Sequence, residues 1–268
     1  MDNRPVLFLD SGIGGLPYCQ HFHRNNPRES LVYVADREYF PYGSRERPAL
    51  VRRLEGLFDA LLRRWDPKLA VLACNTATVS ALAELRERFP RLPLVGTVPA
   101  VKPAVRQSKK RHIGVLGTSR TVEDPYIARL AAEFGPDCAI TAIAAPDLVD
   151  FVERRFAASA AAERRDAALP YIDRFRSAGA DAIVLGCTHF LFLLDAFRGA
   201  AEDLSFHDSL EGVSRRAESL LDQGDLRSAA SPGGENLLLI TGSAPPEPAW
   251  QEWARSFGLT LLHGQGLC

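Results

Sequence analysis

Long apolar stretches, paired cysteines and an excess of one charge sign are all missing from this 268-residue sequence. The longest stretch without an acidic or basic residue is Leu69–Ala83, with 15 partly polar residues. A transmembrane helix needs about 20 mostly apolar residues, so none is predicted. Only four apolar residues stand between Pro5 and Asp10, which does not predict a secretory signal peptide.

Charge and cysteine usage exclude two further classes of protein. The 32 basic residues nearly balance the 33 acidic ones, which disfavours a basic nucleic-acid-binding protein. The five cysteines stand at positions 19, 74, 138, 187 and 268, and none belongs to a Cys-x-x-Cys motif. A disulfide framework is not expected in a chain of this size, so we predict a reduced, cytoplasmic protein without a membrane partner.

What the sequence does contain is a series of short apolar runs, each followed by a segment with helical periodicity. Because the runs are continuous rather than alternating, they are typical of strands that are buried on both faces. The pattern predicts an α/β fold with mainly parallel sheets flanked by helices. The runs that we interpret as strands are Val6–Leu9, Leu31–Ala35, Leu69–Ala73, Leu94–Val98, Ile113–Leu116, Ile140–Ala144, Ala182–Leu185 and Leu237–Thr241.

A weak internal repeat predicts two similar lobes. The sequence LACNT at 72–76 resembles LGCTH at 185–189, and FLDSG at 8–12 is loosely echoed by VLGTS at 115–119. Common turn chemistry after strands is the alternative explanation. We expect residues 1–97 plus 208–268 to form the first lobe and 98–207 the second, with an active site in the cleft between them. By composition, Ser228–Glu235 is predicted to be a flexible loop.

Cys74 and Cys187 are the most informative pair of residues. Both follow a predicted strand and precede a helix start, where backbone N–H groups favour a thiolate over a thiol. Either cysteine alone is more often a small buried apolar residue. Two of them at matching positions suit a reaction that removes a proton from one face of a carbon and returns one to the other face.

A glycine-rich segment, Asp10–Gly15, follows the first strand. It has neither the Walker A pattern nor the Gly-x-Gly-x-x-Gly spacing of a dinucleotide site. Its backbone and the Ser11 hydroxyl can bind a carboxylate, and Asp10 can orient an ammonium group or assist a thiol. Alternatively, Ser11 caps the next helix and the glycines form a turn.

Several other residues have a functional and a structural interpretation. Thr118 and Thr121 can donate to a carboxylate, but helix capping is the commoner role. Glu153 lies in a helical pattern, for which a solvated face is the default. His189, two residues after Cys187, suits a proton partner; no further His or Cys lies at zinc-ligand spacing, so no metal site is predicted.

These motifs together resemble the glutamate racemases, within the cofactor-independent aspartate/glutamate racemase superfamily. The resemblance spans essentially the whole chain. A Cys-Thr-His second motif is more similar to glutamate racemases than to aspartate racemases, in which Glu follows Cys-Thr. The motifs that carry it are Phe8–Leu16 (FLDSGIGGL), Asp36–Gly43, Ala73–Ala77 (ACNTA), Gly114–Val122 (GVLGTSRTV), Leu185–His189 (LGCTH) and Thr241-Gly242.

The resemblance implies cofactor-independent interconversion of L- and D-glutamate, with Cys74 deprotonating D-glutamate and Cys187 deprotonating L-glutamate. Asp10, Glu153 and His189 match positions that assist the thiols. It also implies a homodimer, no cofactor and a supply of D-glutamate for peptidoglycan. The positions that match substrate-binding ones are Asp10, Ser11, Pro41, Tyr42, Gly43, Asn75, Thr76, Thr121, Thr188 and His189.

Two segments depart from the family pattern. Phe190–Phe192 replaces the usual Tyr-Pro-Leu, and Ala145–Asp150 carries two acidic residues where the family has apolar ones before the assisting Glu153. Two alternatives remain open: a racemase or isomerase of the same superfamily that acts on another small acidic substrate such as aspartate, and a non-catalytic protein that binds an amino acid.

Overall fold

The computed structural model describes residues 2–229 and 234–262, and the chain divides into two compact units. The first unit comprises Met1–Thr97 and Leu210–Cys268, and the second comprises Val98–Ser209. The expected loop at Ser228–Glu235 falls in part on residues 230–233, which lie outside the described residues.

The described part of the first unit is built on a six-stranded parallel sheet of order β10-β9-β2-β1-β3-β4. Its strands are β1 (Val6–Asp10), β2 (Leu31–Ala35), β3 (Leu69–Leu72), β4 (Leu94–Gly96), β9 (Asn236–Ile240) and β10 (Thr260–Leu262). Its helices are α1 (Leu16–Asn25), α2 (Arg47–Trp65), α3 (Asn75–Arg88), α10 (Leu210–Gln223) and α11 (Pro248–Ser256).

The second unit is built on a four-stranded parallel sheet of order β6-β5-β7-β8. Its strands are β5 (His112–Gly117), β6 (Ala139–Ala144), β7 (Ala182–Gly186) and β8 (Ser205–His207). Its helices are α4 (Val101–Gln107), α5 (Ser119–Glu123), α6 (Pro125–Phe134), α7 (Pro146–Arg154), α8 (Ala161–Ala178) and α9 (Leu194–Ala200).

The two sheets share a strand order. The order β6-β5-β7-β8 of the second unit repeats β2-β1-β3-β4 of the first, and the first sheet then continues beyond β2 with β9 and β10. Asp10 and Gly117 therefore end corresponding strands, β1 and β5, and Cys74 and Cys187 follow corresponding strands, β3 and β7. The predicted α/β fold of two similar lobes is confirmed.

The residue pattern explains why the main elements form. The central strands β1, β2, β3 and β7 are buried along their whole length, as their continuous apolar sequences require. Helix α2 buries Leu50, Leu54, Phe58 and Leu61 against the first sheet. It ends at Asp66, whose left-handed conformation (φ 41°) stops the helix.

The structure corrects the sequence prediction at the edges of the sheets. Ser205–His207 forms the edge strand β8 and Thr260–Leu262 forms the edge strand β10, and neither segment was among the predicted strands. Strand β6, at the opposite edge of the second sheet, is half-exposed rather than buried on both faces. Among the helices of residues 2–229 and 234–262, none has the length and apolar character that crossing a membrane requires.

Candidate active site

Cys74 and Cys187 occupy equivalent places in their units. Each lies just beyond the carboxyl end of an interior strand and is the N-cap of the helical segment that follows. Their backbones are nearly identical, with φ −147° and ψ 119° at Cys74 and φ −142° and ψ 135° at Cys187. Each residue is 6% exposed. The backbone N–H groups that open each helical segment make both places suitable for an anion.

Cys187 belongs to a buried chain of three ionisable side chains. Its Sγ atom lies 3.7 Å from Nδ1 of His189, and Nε2 of His189 lies 2.7 Å from Oε1 of Glu153. The side chains of His189 and Glu153 are 4% and 3% exposed. The solvated-face interpretation of Glu153 is therefore wrong, because α7 turns this carboxylate inward.

The side chains that contact His189 favour its protonated, imidazolium form. Burial disfavours the charged ring, but the hydrogen bonds and negative charges of Cys187 and Glu153 outweigh burial and raise the pKa of His189 well above its ordinary value. In its charged form the ring carries a proton on each nitrogen, so Nδ1–H points at the Cys187 sulfur and Nε2–H at the Glu153 carboxylate.

The glycine-rich segment after β1 is held by hydrogen bonds to the carboxylate of Asp10, its first residue. Oδ1 of Asp10 accepts hydrogen bonds from the Ser11 hydroxyl (3.2 Å) and from the backbone N–H of Gly12 (3.0 Å). Tyr33, from the neighbouring strand β2, braces the turn: its hydroxyl donates to the Gly12 carbonyl (2.8 Å) and accepts from the Gly15 N–H (3.1 Å). The turn that positions Asp10 and Ser11 is therefore held by a fully buried phenol.

Glycine is required at position 15 by packing. A Cβ atom there would lie 2.8 Å from the Cβ of Ala73, the residue before Cys74. The close approach brings the Asp10–Gly15 turn against the segment that carries the cysteine.

The segment Pro41–Gly43 is anchored through Asp36, the residue after β2. The Tyr42 hydroxyl donates to Oδ2 of Asp36 (2.8 Å), and Thr241 donates to Oδ1 (2.6 Å). Arg53 of α2 binds both carboxylate oxygens, at 3.0 and 2.6 Å. Burial and the charges of Asp36, Cys74 and Asp10 raise the pKa of Tyr42 well above its ordinary value, so its hydroxyl stays protonated. Tyr42 is 1% exposed and its hydroxyl is bonded to Asp36.

Asn75 and Thr76 begin α3 directly after Cys74, and both are buried. In the second unit, Thr188 is buried beside Cys187. Thr118 caps α5 by accepting from the N–H of Thr121, and the two hydroxyls lie 3.0 Å apart. Helix capping, the structural interpretation of Thr118, is confirmed.

Backbone hydrogen bonds join the loops that follow neighbouring strands in the first unit. The Ala73 N–H donates to the Leu9 carbonyl, and the Asp36 N–H donates to the Asp10 carbonyl, each at 2.8 Å. The structure thus gathers the predicted site residues into two sets, one at the carboxyl edge of each sheet. The first set is Asp10, Ser11, Pro41, Tyr42, Gly43, Cys74, Asn75 and Thr76, and the second is Thr121, Glu153, Cys187, Thr188 and His189.

Sequence reasoning missed the residues that hold these sets in place. Asp36 was signalled by its position directly after a strand, but Tyr33 and Arg53 lie within regular elements and carried no local signal. In the described part of the chain, no three His, Cys, Asp or Glu side chains are grouped so that they could hold a metal ion.

The two departures from the family pattern leave the chain of Cys187, His189 and Glu153 intact. Asp147 accepts a hydrogen bond from the Tyr171 hydroxyl of α8, and Asp150 pairs with Arg154 on the exposed face of α7. In the other segment, Phe192 packs edge-to-face against Phe156 at 5.3 Å between ring centroids.

The sequence is similar to those of known racemases. A family model described as Asp/Glu/Hydantoin racemase matches residues 18–209. A glutamate racemase of Treponema pallidum (strain Nichols) is 39% identical over 256 residues, covering 94% of this chain and 93% of the relative. One from Brucella anthropi is 36% identical over 263 residues, covering 96% and 92%.

A solved structure extends the likeness to three dimensions. The crystal structure of Escherichia coli glutamate racemase in complex with L-glutamate and the activator UDP-MurNAc-Ala is similar to this chain with a TM-score of 0.84 and 29% identity. The match covers 96% of this chain and 97% of that one.

Proposed function

The chain belongs to the Asp/Glu/Hydantoin racemase family, and from this premise we propose that it interconverts L- and D-glutamate without a cofactor. Cys74 and Cys187 are the two groups that remove and return the α-proton. The observation that carries the proposal is their equivalence: two buried cysteines with the same backbone conformation at the carboxyl ends of corresponding strands. A binding protein has no need for this duplication.

In each turnover one cysteine starts as a thiolate and the other as a thiol. The thiolate takes the α-proton from one face of the substrate, and the thiol gives its proton to the opposite face. The two cysteines finish with exchanged protonation states, so proton exchange with solvent or a reverse turnover resets the site. By resemblance, Cys74 is the base for D-glutamate and Cys187 the base for L-glutamate.

The other residues make an unfavourable proton transfer feasible. Removal of an α-proton concentrates negative charge next to the substrate carboxylate, so donors that already point at that charge lower the barrier. We assign the contacts to the carboxylates and the ammonium to Ser11, Asn75, Thr76 and Thr188. The imidazolium of His189, held by Glu153, assists Cys187, and Asp10 assists Cys74.

Glutamate is the substrate that the relatives favour. The Escherichia coli relative binds L-glutamate, and the Treponema pallidum and Brucella anthropi relatives are glutamate racemases. The proposal is tested by incubating the protein with L- or D-glutamate in D₂O without a cofactor, while optical rotation and α-deuterium are followed together. We expect loss of rotation with deuterium entering the α-carbon.

Single-cysteine variants test the two-base assignment. Cys74→Ala and Cys187→Ala should each abolish racemisation, because each leaves one face of the substrate without a proton carrier. Cys138→Ala is the matched control, since this half-buried cysteine lies at the amino end of β6 and should leave the rate unchanged. Full racemisation by either of the first two variants would contradict the mechanism.

A second candidate is a racemase of the same family that acts on another small acidic substrate. Exchange of aspartate but not glutamate in the D₂O experiment would favour it. Tight binding of glutamate without α-exchange would instead favour a non-catalytic amino-acid-binding protein.

The resemblance also supports a homodimer that supplies D-glutamate for peptidoglycan in the cytoplasm. None of the four cysteines in the described ranges forms a disulfide bond, in keeping with a reduced compartment. Light scattering coupled to gel filtration tests the dimer: a mass near twice the 29.4 kDa of the chain supports it.

A further inference from the structure

A buried network of two threonines lies behind Cys74 and Asn75. The Thr97 hydroxyl donates to the carbonyl of Leu72, the last residue of β3, at 2.6 Å. The Thr97 N–H donates to the hydroxyl oxygen of Thr78 in α3 at 2.9 Å, and the Thr78 hydroxyl itself lies 3.4 Å from the Leu72 carbonyl. Thr97 and Thr78 are 0% and 5% exposed. Two hydroxyls therefore fix the position of the Thr97 backbone.

The remaining polar group of Thr97 determines which way the Asn75 amide faces. Nδ2 of Asn75 donates to the Thr97 carbonyl at 3.1 Å. The opposite amide orientation would place two acceptors, Oδ1 and the Thr97 carbonyl, against each other. Oδ1 is buried and has no hydrogen-bond partner among residues 2–229 and 234–262.

An unpaired buried acceptor is costly, and a ligand that donates a hydrogen bond removes that cost. Of the polar groups of glutamate, both carboxylates accept hydrogen bonds and only the ammonium donates. We propose that Thr78 and Thr97 are positioning residues that present Oδ1 of Asn75 as the acceptor for the ammonium group of the substrate. This inference rests on the proposed function, because it takes glutamate as the ligand.

Packing explains why the network can form at this place. Gly96, the last residue of β4, lets α3 approach the strand: a Cβ atom there would lie 2.5 Å from Cγ2 of Thr78 and 2.7 Å from Cδ2 of Leu82. The close contact brings the Thr78 hydroxyl within reach of the Thr97 N–H.

The test compares two ligands that differ in one group. Glutarate has the two carboxylates of glutamate but no ammonium, so its affinity reports the carboxylate contacts alone. The variants Thr78→Val and Thr97→Val remove a hydroxyl and keep the shape of the side chain. We expect each to raise the dissociation constant of glutamate about tenfold, the loss of roughly one hydrogen bond to a charged group, and to change that of glutarate less than about twofold.

Two controls separate positioning from general damage. Thr78→Ser and Thr97→Ser keep the hydroxyls and should bind both ligands like the wild type, with thermal unfolding midpoints measured for all variants. In an Asn75→Ala background, Thr78→Val should weaken glutamate binding no further, because the group that it positions is absent.

The outcomes distinguish this inference from the proposed function. Equal weakening of glutamate and glutarate, no weakening of either, or full additivity with Asn75→Ala overturns the positioning role. Wild-type protein that binds glutamate by calorimetry without exchanging its α-hydrogen contradicts the racemase function, while the ligand comparison still decides the positioning role. Wild-type protein that binds neither ligand overturns both.

Discussion

At the scale of the residue, function depends on how each side chain is oriented by its neighbours. His189 contacts a sulfur with one ring nitrogen and a carboxylate with the other, so Cys187 and Glu153 together favour the charged form of the ring. Tyr33 acts in a similar way in the first unit, where its phenol binds two backbone groups of the glycine-rich turn. In both cases one residue acts on a proposed catalytic residue through a third one: Glu153 acts on Cys187 through His189, and Tyr33 acts on Asp10 through Gly12.

Replacing Glu153 with Gln should change the pH dependence of the proposed reaction. The carboxylate raises the pKa of His189, so its neutral isostere lowers that pKa, and the ring loses its proton at a lower pH. We expect the alkaline decline of kcat with L-glutamate to move to lower pH, with kcat at neutral pH about tenfold lower. Glu163→Gln, at an exposed carboxylate paired with Arg155, is the control and should keep the wild-type profile. An unmoved alkaline limb in Glu153→Gln would refute this role.

Removing the Tyr33 hydroxyl should loosen the turn that carries Asp10 and Ser11. Tyr33→Phe leaves a buried carbonyl and a buried N–H without a partner, which costs about 1–3 kcal/mol in the free energy of unfolding. We expect urea denaturation to show this loss and kcat/KM to fall with it. Tyr39→Phe is the matched control, since Tyr39 is half-buried and its ring packs against Tyr42. Equal effects of the two substitutions would argue against a specific role for Tyr33.

At the scale of the element, the site depends on where strands end and helices begin. Parallel strands direct their carboxyl ends to one edge of a sheet, so the loops after β1, β2 and β3 meet without any sequence proximity. Asp36 connects three such elements, since it accepts hydrogen bonds from α2, from the Pro41–Gly43 segment and from the loop after β9.

Breaking the Arg53–Asp36 ion pair should therefore destabilise the first unit. Asp36 is fully buried and Arg53 is 16% exposed in its side chain, so Arg53→Gln leaves a buried carboxylate without its cation. We expect a loss of about 3–5 kcal/mol in the free energy of unfolding. Arg52→Gln, one residue earlier on the exposed face of α2, should change stability by less than about 0.5 kcal/mol. Denaturation in urea measures both, and similar stability of the two variants would contradict the prediction.

At the scale of the whole molecule, the first unit is assembled from two distant parts of the chain. Lys68 and Glu29 form a buried ion pair at 2.5 Å, with side chains 0% and 3% exposed. The Ser228 N–H donates to Oε1 of Glu29 at 3.0 Å, which connects the segment after α10 to this pair. Through the Ser228 hydrogen bond, the pair connects the part of the chain before the second unit with the part after it.

A double-mutant cycle tests the Lys68–Glu29 ion pair. Lys68→Met leaves Glu29 buried and uncompensated and should lower the free energy of unfolding by about 3–5 kcal/mol, whereas Glu29→Gln together with Lys68→Met should recover part of the loss. Racemisation measured below the unfolding transition should stay near the wild-type rate, because the pair lies at the amino ends of the strands. Additive effects of the two substitutions would show that the residues do not act as a pair.

The parts of this protein that could be predicted from sequence are those with local causes. Continuous apolar runs identify the interior strands because burial on both faces demands them. The edge strands β8 and β10 could not be predicted in this way, since they are three residues long and only half buried. That the active site lies between the two lobes stays a prediction.

The sequence by itself determined the α/β class, the two-lobed repeat and the pair of cysteines after matching strands, because each is recognised from short motifs and apolar runs with local causes. Only the tertiary structure decided that Glu153 faces His189, that Tyr33 braces the glycine-rich turn and that Thr97 orients Asn75. Those contacts join residues that the sequence separates by between 18 and 36 positions, and they form because parallel strands bring distant loops to one edge of a sheet.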